Sequence, residues 1–132
     1  SSQLVLAAVD DTWKGNDDLD QAMAGANLDQ PMLLLSHDPR VFNDVFAQQK
    51  YPIALQFSGH THGGQLAIPF LGRSTSVLSF FGVAWSQGLY KRNKRWLHVS
   101  AGLGTTGAPI RIGVPSELTL IQLTSAPSIA SK

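Results

Sequence analysis

Residues 53–65 read Ile53-Ala54-Leu55-Gln56-Phe57-Ser58-Gly59-His60-Thr61-His62-Gly63-Gly64-Gln65. The first five, apolar but for Gln56, read as a strand. A His-x-His framed by glycines follows at once. In open α/β sheets, ligand sites collect just beyond the carboxyl ends of parallel strands. Imidazole nitrogen at such a point suits Zn, Mn, Fe, Co or Ni. In an extended segment residues i and i+2 point the same way. In a turning loop they straddle two ions instead. Gly59, Gly63 and Gly64 carry no side chain and permit positive φ, so the backbone can turn sharply beside a ligand. A lone His-x-His would read as an ordinary polar loop; the glycine frame favours metal binding.

A second strand lies upstream. Pro31 opens the run Met32-Leu33-Leu34-Leu35, which ends in Ser36-His37-Asp38-Pro39. Asp38 reads as a helix N-cap and Pro39 as the first helical residue. Val41, Phe42, Val45 and Phe46 fall on one helical face. The helix is expected to end near Lys50, before Tyr51-Pro52. If the two strands are parallel neighbours, their ends lie about 5 Å apart. His37 then joins His60 and His62, and the three become the candidate metal ligands.

The N-terminal run Leu4 to Val9 is continuously apolar and is predicted to be a strand buried on both faces. Asp10 and Asp11 end it on the same edge as His37. They read either as groups that orient the imidazoles or as loop caps. Asn16 or Asp17 is predicted to cap a short helix from Leu19 to Ala24, with Gly25 as its stop. Downstream, Leu66 to Ile68 reads as a short strand closed by Pro69. Residues 70–84 are rich in Gly, Ser and Phe and read as a loop or flap. The aromatic stretch Phe70 to Trp85 suits core packing, or an acyl pocket or membrane-facing lip. Gly88-Leu89-Tyr90 and Trp96 to Ser100 form a predicted hairpin across Lys91, Arg92, Lys94 and Arg95, with Asn93 at its turn. His98 reads as a hydrogen-bonded strand residue. Residues 102–107 form a Gly/Thr-rich loop, and Pro109 to Arg111 and Leu118 to Leu123 are the last strand candidates. Arg111 is a candidate for a phosphate fork or a salt bridge, and Gly64 and Gln65 for the substrate cleft. The whole reads as an α/β chain: parallel strands with helices early, antiparallel hairpins late.

Composition narrows the chemistry. The 132 residues carry ten basic and nine acidic side chains, a formal net charge of +1. That balance gives no electrostatic argument for nucleic acid or an anionic membrane surface. There is no cysteine, so a metal must be held by nitrogen and oxygen. No run approaches the ~18 apolar residues of a membrane-spanning helix.

The stretch Ser58 to Gln65 resembles the Gly-His-x-His motif that ends the calcineurin-like metallophosphoesterase signature. Leu33 to Pro39 is similar to the isolated-histidine motif upstream of it. Ala7 to Asp11 and Ser100 to Leu123 resemble the surroundings of one branch, the membrane-associated bacterial phosphoesterases. The resemblance implies the C-terminal half of an αββα sandwich, a mixed sheet with flanking helices, over residues 1–124, with 125–132 a flexible tail. It implies two divalent ions (Mn, Fe, Zn or Ni), with His37 and His60 on the second and His62 on the first, and a bridging hydroxide between them. It implies hydrolysis of a phosphomonoester, phosphodiester or diphosphate, with a phosphorylated small molecule or lipid-linked phosphate as substrate, in bacteria at a membrane or after export.

The family's Asp-x-His, Gly-Asp-x-x-Asp and Gly-Asn-His-Asp/Glu motifs are not among these residues. The expectation is therefore an incomplete fragment, inactive alone and holding at most one ion. Its partner would be the missing N-terminal half of the same domain, or a second copy covering the sheet. The alternative is a non-catalytic metal-binding or oligomerising module using His37, His60 and His62.

Overall fold

The computed structural model describes residues 3–13, 15, 17–68, 75–76 and 83–124. Strands β1 (Val5–Ala8), β2 (Met32–Leu35) and β3 (Ile53–Ser58) run parallel in that spatial order. The next strands in sequence are β4 (Ala67–Ile68) and β5 (Thr75–Ser76), which pair with each other as a separate antiparallel ladder. Strands β6 (Gly88–Arg92) and β7 (Arg95–Val99) form the basic hairpin, and β7 adds to β3 in parallel. The main sheet is therefore ordered β1-β2-β3-β7-β6, mixed only at its β6 edge. Asn93 takes the positive φ of the hairpin turn, as an Asn at that position does readily.

One face of the sheet is covered. Helices α1 (Leu19–Ala22) and α2 (Val41–Gln48) pack Leu19, Met23, Val41 and Val45 against Ala7, Met32, Leu34 and Ile53. Phe42 packs with Leu97 and Val99, and Trp85 meets its ring edge-on at 5.7 Å. Two predicted helix starts are corrected. The α1 cap is Asp18, whose carboxylate accepts from the Gln21 N–H, and not Asp17; Asn16 lies outside the described residues. Helix α2 begins at Val41, two residues later than Pro39, because a turn over residues 38–41 precedes it.

Among the described residues the other face is largely uncovered toward its edges. In a strand, successive side chains alternate between the two faces. The register aligns Leu6, Leu33, Leu55 and Trp96 in one row, and Ala8, Leu35, Phe57, His98 and Leu89 in the next. Leu6 is 61% exposed, Leu89 60%, Leu35 41% and Trp96 37%, whereas Leu33 between them is 7% exposed. β1 is thus buried on one face rather than on both. Burial of both faces needs a layer that these residues do not supply. The strand candidates Pro109 to Arg111 and Leu118 to Leu123 are likewise corrected. Only an isolated bridge from Leu66 to Ile112 forms, and Leu118 and Leu120 are 87% and 96% exposed with no ladder. The expected tail and most of the 70–84 flap lie outside the described residues.

Asp38 is 1% exposed and ties the early elements together. Its carboxylate accepts from the Thr12 hydroxyl at 2.6 Å, from the Arg40 N–H at 2.8 Å and from the Arg40 guanidinium. Its main-chain carbonyl accepts from the Ser36 hydroxyl at 3.0 Å. Burial pushes its pKa up, but the bonds from Arg40 and Thr12 outweigh burial and hold it at about 2. A carboxylate with a depressed folded pKa stabilises the fold above its unfolded value, and loses that contribution as pH falls through the folded value. Asp38 is expected to contribute about 2 kcal/mol at neutral pH, a contribution lost between about pH 4 and pH 2. Urea unfolding at pH 7 and pH 2.5 should show this loss in the wild type. In Asp38→Asn the corresponding part of the acid slope should be gone and the neutral-pH stability already reduced.

Candidate metal centre

The carboxyl ends of β1, β2 and β3 lie side by side, and each is followed within three residues by a metal-ligating side chain. Asp11 follows β1, His37 follows β2 and His60 follows β3. One ligand atom from each of the three lies within 4.8 Å of the others. The His37 and His60 rings meet edge-on, their centroids 5.2 Å apart. His37 is exposed, while Asp11 and His60 are half-buried. The group borders an open depression of about 280 Å³ lined by Val9, Ser36, His37, Phe57 and Gly59. A larger depression of about 620 Å³ sits at the opposite end of the strands, among Phe46, Gln49, Asn93 and Arg95. It holds no metal-ligating side chain, so volume does not mark the chemistry here.

Asp11 goes further than the sequence reading. One of its oxygens accepts from the Trp13 N–H at 2.7 Å, which is the loop-capping role. The same carboxylate belongs to the ligand group. A carboxylate matters because two neutral imidazoles offset none of a dication's charge. Its position three residues past a parallel strand was the available signal. Asp38 takes no part as a ligand; it lies beneath the group and bonds to Thr12, the neighbour of Asp11.

The loop after β3 turns by an unusual run of dihedrals. His60 (φ 68°), His62 (φ 51°), Gly63 (φ 63°), Gly64 (φ 82°) and Gln65 (φ 53°) all lie in the left-handed region. Each such non-glycine residue costs roughly 1–2 kcal/mol, and strain of this kind gathers at functional sites. The sequence reading assigned positive φ to glycines alone. The histidines carry it too, whereas Gly59 does not. Gly63 is constrained twice over: a Cβ there would lie 2.5 Å from Val114 Cγ1 and 2.8 Å from Gln87 Oε1. Gly63→Ala should destabilise the protein by about 2 kcal/mol or more. Thermal unfolding of that variant beside Gly59→Ala, whose Cβ would make only ordinary contact with His37, checks this.

The turn carries His62 away from the group of three. Its Nδ1 lies 3.1 Å from the Gly104 carbonyl oxygen, in the loop that follows β7. Gln65 is folded onto the same loop: its amide donates to the Thr106 carbonyl at 3.0 Å and accepts from the Thr106 N–H. Arg111 makes no salt bridge among the described residues. Its guanidinium donates to the carbonyls of Ala101, Gly102 and Gly104, with longer bonds to His62 and Pro115. Gly64 is half-buried in the short 3-10 turn His62–Gly64. His98 faces the bare side of the sheet, 3.9 Å from Glu117.

Known proteins of similar sequence point the same way. The chain is 32% identical to the metallophosphoesterase YkuE of Bacillus subtilis over 124 residues, which is 94% of this chain and 42% of that protein. It is 34% identical to a Helicobacter pylori metallophosphoesterase over 107 residues, 80% of this chain and 27% of that protein. It is 36% identical to a zebrafish transmembrane protein with metallophosphoesterase domain over 110 residues, 83% of this chain and 24% of that protein.

The chain belongs to the calcineurin-like metallophosphoesterase family.

The metallophosphoesterase relatives are matched in their C-terminal part, and the mixed sheet fits the C-terminal half of that α/β fold. The chain spans less than half the length of each of them. No family model matches it, and no solved structure matches it significantly. Among the described residues no helix is long and apolar enough to cross a membrane. Family membership implies use of divalent metal, and the donor set of one carboxylate and two imidazoles suits Zn, Mn or Fe. Calorimetric titration with Zn²⁺ or Mn²⁺ should show binding that Asp11→Asn, His37→Ala and His60→Ala each weaken at least tenfold. Binding left unchanged by all three would remove the group from consideration.

Proposed function

We propose that this segment supplies the His37, His60 and His62 side of the active site of a two-metal phosphoesterase. The intact protein would hydrolyse a phosphomonoester, phosphodiester or diphosphate. The observation that carries the reading is the convergence of His37 and His60, with Asp11, at the carboxyl ends of three adjacent parallel strands. His37 and His60 would share one ion. His62, turned aside by its left-handed backbone, would serve the other. Ions held there would activate water and offset charge on the phosphoryl oxygens. Asp11 would supply negative charge beside the imidazole pair, and Asp38 beneath it would keep the loops of both in place. Gly64, Gln65 and Arg111 border this region. The substrate class expected is a phosphorylated small molecule or a lipid-linked phosphate.

The bare sheet face supports a partner layer from the same protein. The relatives are more than twice as long as this chain, and Leu6, Leu35, Leu89 and Trp96 stand ready to be covered. Full burial of each such side chain is worth about 1.5–3 kcal/mol. A second copy of the chain is the competing occupant. Analytical ultracentrifugation separates the two: a longer natural chain should be monomeric, whereas the 132-residue segment alone should dimerise as its concentration rises.

A second reading has its own support. Asp11, His37 and His60 suffice for one ion with an open coordination position, so a non-catalytic metal module fits the same residues. Metal analysis and turnover of an aryl phosphodiester by the intact protein decide between them. Two ions per chain, and a kcat/KM that falls by about 100-fold or more in His37→Ala and His60→Ala, are expected. One tightly held ion with no turnover of any phosphoester would leave the phosphoesterase reading without support.

A further inference from the structure

The Gly104 carbonyl is a meeting point of three donors. His62 Nδ1 approaches it at 3.1 Å, Arg111 Nε at 3.0 Å, and Arg111 Nη2 also donates to it. A carbonyl oxygen accepts and never donates. The proton in the His62 contact therefore sits on Nδ1, and in the neutral ring Nε2 is left with the lone pair. Nothing in the imidazole itself imposes that choice. It is imposed by where the carbonyl is held.

Arg111 holds it. Its guanidinium spans the carbonyls of Ala101, Gly102 and Gly104, and reaches His62's own carbonyl at 3.4 Å. One side chain thus joins the loop that carries His62 to the loop that orients it. Gln65 repeats the join from the other side through the main-chain N–H and carbonyl of Thr106. The Ala67 N–H donates to the Ile112 carbonyl at 2.8 Å, and the Ile112 N–H to the Gln65 carbonyl at 2.8 Å. The 101–107 loop has no strand or helix of its own, and the Arg111 and Gln65 contacts help fix it together with bonds to Ser100, Ser116 and Glu117.

We propose that Arg111 is a positioning residue that sets the His62 tautomer through the Gly104 carbonyl, so that Nε2 is the nitrogen offered to a divalent cation. The inference rests on His62 being a metal ligand, but its structural part does not need metal to be tested. A lysine at 111 keeps the charge and loses the planar fork that reaches several carbonyls at once.

The test is histidine side-chain ¹⁵N NMR on the intact protein labelled at histidine and free of metal, with His62 assigned from the His62→Gln spectrum. The wild type should show a protonated Nδ1 and an unprotonated Nε2 at His62. Arg111→Lys should shift His62 toward a mixture of tautomers, while His37 and His60 stay unchanged. A wild-type spectrum with the proton on Nε2 overturns the proposal before any variant is made, so a variant that misfolds does not protect it. A fixed Nδ1–H in folded Arg111→Lys overturns it too. Zn²⁺ is then added. A shift at His62 Nε2 in the wild type, weakened in Arg111→Lys, completes the expected result. An Nδ1–H fixed in the wild type and mixed in Arg111→Lys, with no zinc effect at His62, instead sinks the metal role of His62 and leaves Arg111's hold on the ring established.

Discussion

One buried carboxylate holds the site's loops in register. Asp38 receives the Thr12 hydroxyl from the loop after β1, while its carbonyl receives Ser36 from the end of β2. Gln56 of β3 adds a long bond to the same carbonyl and a 3.0 Å bond to Ser58. Thr12 is adjacent to Asp11, and Ser36 to His37. Asp38 thus bonds to the immediate neighbours of two members of the ligand group. A charge buried this deeply is stable only because nearly all its acceptor capacity is used. That requirement ties the loop after β1 to the start of α2: displacing Thr12 or Arg40 would strip donors from an ionised group in the interior.

Parallel pairing supplies the other half of the geometry. Neighbouring strands lie about 4.8 Å apart, close to the 4.8 Å within which the Asp11, His37 and His60 ligand atoms gather. Three side chains leaving three adjacent strand ends need little further adjustment to face one point. His62 is different because it is two residues farther along a loop that turns left-handed at almost every step. The strain is repaid in fixed direction: His60 stays with the group over β2, and His62 is delivered to the loop after β7.

Much of this was legible in the sequence. The strand ends, the glycine-framed His-x-His, the α2 face and the hairpin are local patterns, and local patterns survive folding. Other features were not legible because they depend on what lies across the chain. Leu4 to Val9 has the composition of a doubly covered strand, yet Leu6 and Ala8 face no layer among the described residues. Leu118 to Leu123 has strand character but pairs with no strand among the described residues. Arg111 invites a phosphate or carboxylate partner by its chemistry. The fork is instead filled by carbonyls of a loop that sequence alone shows only as irregular. Asp11 was visible as a strand-end acid, but its place in the ligand group needed the parallel register of β1 with β2.

The bare face and the metal group share an edge. Ala8, Leu35 and Phe57, one row of the uncovered face, also line the depression beside His37. A layer laid over that row would end within reach of the imidazoles, so covering the sheet and completing the ligand set become one event. Charge argues for the same coupling. Two dications carry four positive charges, and Asp11 is the single carboxylate in the group described here. If the proposed site holds two such ions, further anions would be needed beyond this group, and a layer laid over the sheet could bring them. Metal affinity and closure of the apolar face should then rise and fall together, because each supplies what the other lacks.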